Sequence, residues 1–490
     1  IIQKQTLKGT FYAYLGVLVG FLTSGILFPR ILSPNEIGLI NLLVAFSVIF
    51  MQVGSLGFNS VIGRLFPYFR DSKSGHNGFL PVALGVSITG LAIALIAFLL
   101  MKPVILENNQ DKSELLVDYI HYVVPLIIFT LFFNLLDAYN KAIYDAVLGI
   151  FLKEFLQRIF IILSLLMYFF SWISIHQFFQ FYVIALSLPT IILLFILLKR
   201  GEVRFVPVNK EIFTKPMLME MLRLSLYGFI SGLSIFVVVQ IDKILVNKFL
   251  GLAATGIYAT NYFFATLVII PSRSLLKIST TIIADAWKTI LSVYKKSVIN
   301  QGIIGLLIFI GIWANIDNIY RIIPVEYSEG RMVIFFIAVA NLIQMFSGVV
   351  GTIIGTSNYY RVLTLFVLFF LVCIVLLSLI FIPLLGIMGA AVAIAISTFI
   401  FSLMRFLFVL LKFKMNPYNM KLVILLLIAA AAYFVGSFIP KLDSIILDIL
   451  LRSFAILAIY LPAVYFSGIS EEIHTITSNI INRVMFFLKK

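Results

Sequence analysis

Residues 362–383 read VLTLFVLFFLVCIVLLSLIFIP, a run of 22 residues without a charged side chain. A helix rises about 1.5 Å per residue, so this run is long enough to cross the roughly 30 Å hydrocarbon core of a bilayer. Similar apolar runs, separated by short polar connections, recur along the whole chain. Runs of this length favour membrane-spanning helices over barrel strands. The sequence therefore predicts an all-α integral membrane protein.

The composition of the 490-residue chain supports this prediction. Hydrophobic residues make up 62%, charged residues 12%, and the mean hydropathy is +1.12, whereas soluble domains are about 45–50% apolar and 25% charged. The single cysteine, Cys373, excludes an intramolecular disulfide and a cysteine metal cluster, and the four histidines lack ligand spacing. The net charge of +15 is better explained by basic cytoplasmic loops than by nucleic acid, which we do not expect as a partner.

Hydropathy predicts about fourteen transmembrane helices. They lie near residues 9–29, 37–63, 80–101, 119–140, 146–170, 177–198, 224–247, 254–282, 298–316, 332–354, 362–383, 386–411, 421–439 and 444–467. The second and eighth are long enough to bend. With the N-terminus inside, 22 of the 36 Lys and Arg residues are cytoplasmic, 7 lie on the opposite side and 7 lie within spans. This asymmetry predicts that both termini are cytoplasmic. The N-terminus shows no cleavable signal peptide, so we expect the first span to remain.

The first 200 residues resemble the next 200. Gly38 and Gly256 lie 218 residues apart, and each enters an apolar helix that bears aromatic residues. Six spans per repeat predict two six-helix lobes related by a pseudo-two-fold axis along the membrane normal; chance similarity between Leu-rich helices is the alternative. The predicted domains are an N-lobe (1–198), a cytoplasmic linker (199–223), a C-lobe (224–411), and a region with the last two helices and a cytoplasmic tail (412–490).

Two motifs carry a family resemblance. The first is Phe28-Pro-Arg-Ile-Leu-Ser-Pro-Asn-Glu-Ile-Gly-Leu39, and the second is Gln240-Ile-Asp-Lys-Ile-Leu245 followed by Gly256-Ile-Tyr258. Together they resemble polysaccharide-type exporters of the multidrug/oligosaccharidyl-lipid/polysaccharide (MOP) superfamily. This group includes the Wzx flippases and, more distantly, the lipid II flippase MurJ and the MATE drug exporters. The resemblance covers roughly residues 5–470.

The resemblance implies a V-shaped pair of lobes around a central cavity and alternating access, often driven by a proton or sodium gradient. It also implies the inner membrane of a bacterial cell. About fourteen spans match MurJ and many polysaccharide exporters, whereas MATE proteins typically have twelve. This difference counts against a drug exporter. We expect no cofactor, only a proton or sodium gradient. The expected partners are a lipid-linked oligosaccharide, membrane lipids and the polymerase or assembly proteins that handle the glycan.

The eighth predicted span contains a pair of cations. Arg273 and Lys277 share one helical face, with no acidic residue at nearby helical spacing, and Pro271 can kink the helix beside them. A charge at the bilayer centre costs about 2.5–3.5 kcal/mol on insertion scales, so such residues usually bind or line something. Arginine and lysine both bind phosphate. These two residues are predicted to bind the substrate's pyrophosphate, with snorkelling to the inner headgroups as the alternative.

The fifth predicted span contains Lys153, Glu154 and Arg158. Glu154 and Arg158 are four residues apart and can pair on one face, so Lys153 decides whether the patch is cationic. One interpretation is a phosphate site, with Lys153 and Arg158 as ligands and Glu154 as an ion-coupling carboxylate. The alternative is an internal salt bridge between helices.

Four further residues are candidates. Arg64 and Asn59, at the end of the second span, are predicted to contact phosphate and sugar, with snorkelling and helix–helix hydrogen bonding as their alternatives. Asp242 and Asp137 are predicted to couple transport to a proton or sodium gradient, although Asp242 could instead pair with a distant cation. Outside these sites, we expect Arg405 to snorkel, Asp448 and Arg452 to form a structural pair, and Gly16 with Gly20 to mark close helix packing.

These features predict a flippase that moves a polyprenyl-pyrophosphate-linked oligosaccharide from the inner to the outer leaflet. The first alternative is lipid II translocation. Drug export is the second, and the mostly basic candidate sites count against it. A membrane glycan polymerase or ligase would need substantial outer loops, which the sequence lacks. Zinc spacing, a Walker loop and a nucleophile elbow are also absent, so an enzyme is not expected.

Overall fold

The structure is a computed structural model that describes residues 2–107, 113–272, 276, 290–470 and 472. Within these residues it is helical and contains no strand. The chain divides into two compact units, Ile1–Thr260 and Asn261–Lys490. The predicted lobe and linker boundaries, and the predicted two-fold axis, stay predictions.

The first unit contains nine helices in its described residues, besides the short 3₁₀ helices His76–Gly78 and Ile120–Tyr122. They are α1 (Ile2–Gly20, continuing through π-helical Phe21–Leu27 into Phe28–Ile31), α2 (Pro34–Gly54), α3 (Phe58–Phe69), α4 (Phe79–Glu107), α5 (Glu114–Tyr119), α6 (Val123–Ala142), α7 (Val147–Ile150, continuing through π-helical Phe151–Leu156 into Gln157–Phe169), α8 (Ile175–Lys199) and α9 (Lys215–Thr266). The last of these, α9, ends six residues beyond the boundary of the unit.

The second unit contains eight further helices in its described residues, besides the short 3₁₀ helices Leu267–Ile269 and Val325–Gly330. They are α10 (Ile290–Ala314), α11 (Ile316–Ile322), α12 (Arg331–Phe346), α13 (Val350–Thr356), α14 (Tyr360–Leu385), α15 (Ile387–Phe413), α16 (Met420–Phe438) and α17 (Ile445–Phe466). The longest apolar helices of this unit expose many large hydrophobic side chains, as expected for surfaces that face lipid.

Twelve helices of the described residues are long and apolar enough to cross a membrane. One candidate, Lys215–Ser272, contains the seventh predicted span and the eighth as far as residue 272, separated by a break at Gly251 (φ 86°), and the rest of the eighth reaches beyond the described residues. The fifth predicted span forms helix α7. This helix is not among the twelve because it contains three charged residues. The predicted all-α membrane fold is therefore confirmed, and the helices are consistent with about fourteen spans.

The second predicted span is shorter than expected. Predicted to reach residue 63, it ends at Gly54, and Leu56 (φ 46°) and Gly57 (φ 71°) turn the chain into α3. The turn packs against α9, where the Ser225 hydroxyl donates to the Leu56 carbonyl over 2.6 Å. A Cβ at Gly57 would collide with the backbone of Phe229. Hydropathy missed the turn because Leu56 is apolar and Gly57 carries no side chain, so neither interrupts the apolar run.

Local sequence signals explain where two of the helices begin. Ser33 and Glu36 form a capping box at the start of α2, where the Ser33 N–H donates to Glu36 over 2.7 Å and Pro34 is the first helical residue. Ser174 and Gln177 form the same box at the start of α8. Both boxes satisfy backbone donors that the first helical turn leaves without a partner.

The two glycines at equivalent repeat positions pack reciprocally. A Cβ at Gly38 would collide with the Leu252 carbonyl, and a Cβ at Gly256 would collide with the Pro34 carbonyl. Pro34 and Leu252 are themselves 218 residues apart. Each motif therefore lies against the backbone of the other, as a two-fold relation between repeats would require.

The segment predicted as a cytoplasmic linker is extended at first and then helical. The Arg204 guanidinium donates to the Gly201 and Ser72 carbonyls, and the Asn209 amide donates to Asn77 over 3.1 Å. Helix α9 begins at Lys215, nine residues before the predicted seventh span. The extended part is thus held against the loop between α3 and α4.

Two polar clusters fix one end of the second unit. Asp448 and Arg452 form a buried salt bridge of 3.0 Å, which confirms the predicted pair. Outside the spans, Asp317 pairs with Lys441 at 2.7 Å and with Arg331 at 3.1 Å. The hydrogen bond from Lys441 is the main reason that the pKa of the Asp317 carboxyl is held below its usual range.

Candidate functional site

Glu154 and Arg158 form the internal pair that the sequence allowed as an alternative. Their atoms Oε2 and Nη2 lie 2.8 Å apart, and the Arg158 Nη1 donates to the Gly16 carbonyl on α1. A Cβ at Gly16 would lie 2.7 Å from the Glu154 carbonyl oxygen, and a Cβ at Gly20 would collide with the Arg158 guanidinium. The predicted close packing at these two glycines is thus observed, and the Arg158 side chain packs against both of them.

The π-helical segment of α7 displays the lysine next to this pair. The ammonium of Lys153 lies 5.1 Å from the centroid of the Phe133 ring on α6, within reach of a cation–π contact. Lys153 is exposed, and it forms no hydrogen bond or ion pair with a described residue. π-Helical turns within α-helices often occur at functional sites.

Asp137 lies on α6, one turn beyond Phe133. Its Oδ2 pairs with the ammonium of Lys141, while its buried Oδ1 has no hydrogen-bond partner among the described residues. A Cβ at Gly149 would collide with the carboxylate. The glycine therefore lets the Asp137 side chain pack against the start of α7. Asp137 and Lys141 cancel in charge, as do Glu154 and Arg158. Lys153 therefore supplies the surplus positive charge of this cluster.

Asp242 occupies a separate, buried position on α9. Its carboxylate is 1% exposed, and its Oδ2 accepts a 2.6 Å hydrogen bond from the hydroxyl of Tyr258, beyond the break at Gly251. Its Oδ1 has no partner among the described residues. The neighbouring Lys243 donates instead to Gln240 over 3.3 Å. Asp242 thus has a tyrosine donor, and no described cation lies within ion-pair distance of it.

The remaining predicted residues do not join these clusters. Arg64 is exposed on α3 and Asn59 is half-buried at its start, and neither bonds to Lys153 or Asp137. Arg273 and Lys277 lie outside the described residues. Immediately before them, the buried Ser272 hydroxyl donates to Gln301 over 2.6 Å.

Sequence reasoning missed the burial of Arg405. The expected snorkelling was wrong, because this side chain is 8% exposed and its guanidinium lies 4.0 Å from the Phe401 ring centroid. It donates to Ser402 over 3.3 Å, and its Nε has no partner among the described residues. Gly351 lies beside the guanidinium, at a distance that would be ordinary van der Waals contact for a Cβ.

The described residues contain no group of three or more His, Cys, Asp or Glu side chains that could hold a metal ion. Chemically, these clusters offer the Lys153 ammonium, which forms no hydrogen bond or ion pair with a described residue, the half-buried carboxylate of Asp137 and the buried carboxyl group of Asp242. An ammonium in such a position can bind a phosphate oxygen. A buried carboxyl group without an ion-pair partner can exchange a small cation.

Residues 6–284 match the model of a family described as polysaccharide biosynthesis protein. The solved structure of the lipid II flippase MurJ in an inward closed conformation has a TM-score of 0.70 and 14% identity, and the alignment covers 93% of this chain and 97% of that one. An inward-facing multidrug resistance MATE family transporter of the MOP superfamily has a TM-score of 0.64 and 16% identity, over 80% and 93% of the two chains. A MOP superfamily transporter from Pyrococcus furiosus has a TM-score of 0.55 and 15% identity, over 83% and 94%. No curated protein sequence matches the chain.

Proposed function

Because the chain belongs to the polysaccharide biosynthesis protein family, we propose that it is a flippase for a polyprenyl-pyrophosphate-linked oligosaccharide. The family match confirms the resemblance predicted from the sequence, and the fold is one found in membrane transporters. The observation that carries the proposal is Lys153, an exposed residue within a membrane-spanning helix whose ammonium forms no hydrogen bond or ion pair with a described residue. An ammonium kept in such a place at a cost in insertion energy suggests an anionic ligand.

In the proposed mechanism, Lys153 contacts the pyrophosphate from the inner leaflet side. Arg273 and Lys277 are proposed as further phosphate ligands, and Asn59 and Arg64 as contacts at the entrance. The sugars would cross within the protein while the prenyl tail stays in lipid. Alternating exposure to the two sides would then release the substrate outside.

We propose Asp242 and Asp137 as the groups that couple this cycle to a proton or sodium gradient. Each buries one carboxylate oxygen without a hydrogen-bond partner among the described residues. Asp242 is the stronger candidate, since Asp137 already pairs with Lys141. A gradient would favour release into the outer leaflet over return.

The test is reconstitution in liposomes with a fluorescent undecaprenyl-pyrophosphate glycan, with and without an ion gradient. We expect gradient-dependent translocation. Lys153→Gln should slow it by at least about tenfold, the factor that about 1.4 kcal/mol of lost binding gives. Lys153→Arg should restore most of the rate, because it keeps the charge. Lys210→Gln, in the segment before α9, is the matched control and should translocate normally.

The outcomes separate the proposal from its alternatives. Failure to translocate any of several glycans would overturn it, and translocation of lipid II alone would support the second candidate. That candidate is kept because the MurJ fold aligns over 93% of this chain. Normal translocation by Lys153→Gln would remove this lysine from the site.

A further inference from the structure

The second unit contains a basic cavity at the end that the predicted topology places in the cytoplasm. Its volume is about 220 Å³, and it lies between α10, the start of α16 and the residues that follow α17. Its lining includes Lys295, Lys296 and Lys421, whereas Glu472 is the one acidic residue among the described lining. The described lining therefore carries a surplus of two positive charges.

Hydrogen bonds between three parts of the chain hold the walls of this cavity. The ammonium of Lys421 donates to the carbonyls of Gly468 and Ile469 over 3.3 and 3.4 Å, next to the end of α17. Both carbonyls belong to the residues that follow α17, so the lysine joins the start of α16 to this segment. The Ser470 hydroxyl donates to Asn300 over 2.9 Å, which joins the same end to α10.

The other charged groups of the lining differ in whether they have a partner. Glu472 accepts a hydrogen bond from the Asn300 amide and lies 3.7 Å from the ammonium of Lys296. Lys295, one residue earlier, is exposed and forms no hydrogen bond or ion pair with a described residue. The Lys295 ammonium is thus available to a ligand, whereas Lys421, Lys296 and Glu472 already contact other groups of the protein.

The surface beside the cavity is apolar. On α16, the residues next to Lys421 expose large hydrophobic side chains: Met420 is 71% exposed, Val423 48% and Leu427 65%. A ligand with a charged head and an apolar tail would place its head in the cavity and its tail along this helix. Basic pockets between transmembrane helices at a cytoplasmic surface are suited to anionic lipid headgroups.

We propose that this cavity binds the phosphate group of an anionic membrane phospholipid. Free phosphate shares the same chemistry, but it would leave the apolar face of α16 unused. The lipid would join α10, α16 and the end of α17 in the bilayer and so stabilise the second unit. This inference does not depend on the proposed flippase activity.

The test compares purified protein variants in detergent titrated with phosphatidylglycerol or phosphatidylcholine, with bound lipid counted by native mass spectrometry. We expect phosphatidylglycerol to bind and to raise the unfolding temperature, as a ligand of the folded state does. Lys295→Gln should weaken its apparent affinity by about fivefold, the effect of about 1 kcal/mol per lysine near a membrane surface. Lys295→Arg should restore it.

Lys199→Gln is the matched control, because Lys199 is also exposed at the predicted cytoplasmic end of a span, in the first unit. An equal loss of affinity in this control would overturn the proposal in favour of a general surface charge effect. Stabilisation by inorganic phosphate or glycerol phosphate, at the concentration at which the lipid acts, would assign the cavity to a free anion. Equal binding of phosphatidylcholine would also overturn it.

Discussion

The hydrogen-bond partner of Asp242 could not be predicted from the residues near it in sequence. Its described hydrogen-bond donor, Tyr258, lies sixteen residues later and reaches it because Gly251 breaks α9 with φ 86°. Hydropathy predicts the two spans but not this reversal. The i, i+4 pairs, in contrast, were predictable, since Glu154 with Arg158 and Asp448 with Arg452 follow directly from helical spacing.

We predict that Asp242→Asn abolishes the dependence of transport on the ion gradient while the protein still folds. The amide keeps the size of the side chain and can still accept from Tyr258, but it cannot bind or release a proton or bind sodium as a carboxylate does. Transport by reconstituted protein, measured with and without the gradient, checks this expectation. Asp145→Asn is the control, since Asp145 pairs with Arg200 in an exposed salt bridge of 2.7 Å. A gradient response that survives in Asp242→Asn would assign the coupling elsewhere.

At the scale of helices, glycines decide which elements can approach each other. Gly16 on α1 faces the backbone of α7, whereas Gly9 on the same helix leaves 3.5 Å between a new Cβ and the Ile150 side chain. The sequence indicated this packing through the spacing of Gly16 and Gly20. It gave no sign of the two π-helical segments, because one extra residue in a turn leaves hydropathy unchanged.

Gly16→Ala should destabilise the protein by about 1–3 kcal/mol, the usual cost of overpacking a tight interface. The added Cβ would lie 2.7 Å from a backbone oxygen and 2.8 Å from the Glu154 Cβ, so α1 and α7 must separate. Gly9→Ala is expected to be neutral or slightly stabilising, since alanine favours the helix. Thermal unfolding in detergent measures both, and equal unfolding temperatures would contradict the packing described for α1.

The reciprocal contact between the two motifs gives another prediction for these elements. Gly38→Ala and Gly256→Ala should each speed amide hydrogen exchange in the turn around Gly251, because each added Cβ collides with a backbone carbonyl. Both substitutions open the same contact, so the double variant should lose less stability than the sum of the two single losses. Gly85→Ala, where a Cβ meets nothing within 4 Å, should leave exchange unchanged. Additive losses would show that the two glycines pack independently.

For the molecule as a whole, composition and the periodic recurrence of apolar runs were enough to predict the fold class. Structures with 14–16% identity share the fold, so the pattern of spans specifies it far more than individual residues do. Turns within spans escaped prediction, as at Leu56 and Gly57, because their residues are apolar or carry no side chain. Burial of Arg405 escaped it as well, since it depends on which helices face each other across the second unit.

The last prediction concerns how this multi-pass protein is oriented in its membrane. The excess of basic residues on one side predicts cytoplasmic termini, which places residue 210 inside and residue 325 outside. Replacing Cys373 by serine leaves a chain without cysteine, into which Lys210→Cys or Val325→Cys is introduced. Val325 is 78% exposed and Lys210 is also exposed, so both sites can react. A membrane-impermeant maleimide added to intact cells should label the Val325→Cys variant at once and the Lys210→Cys variant only after permeabilisation. The reverse pattern would invert the topology and, with it, the side on which Lys153 and the basic cavity of the second unit meet their ligands.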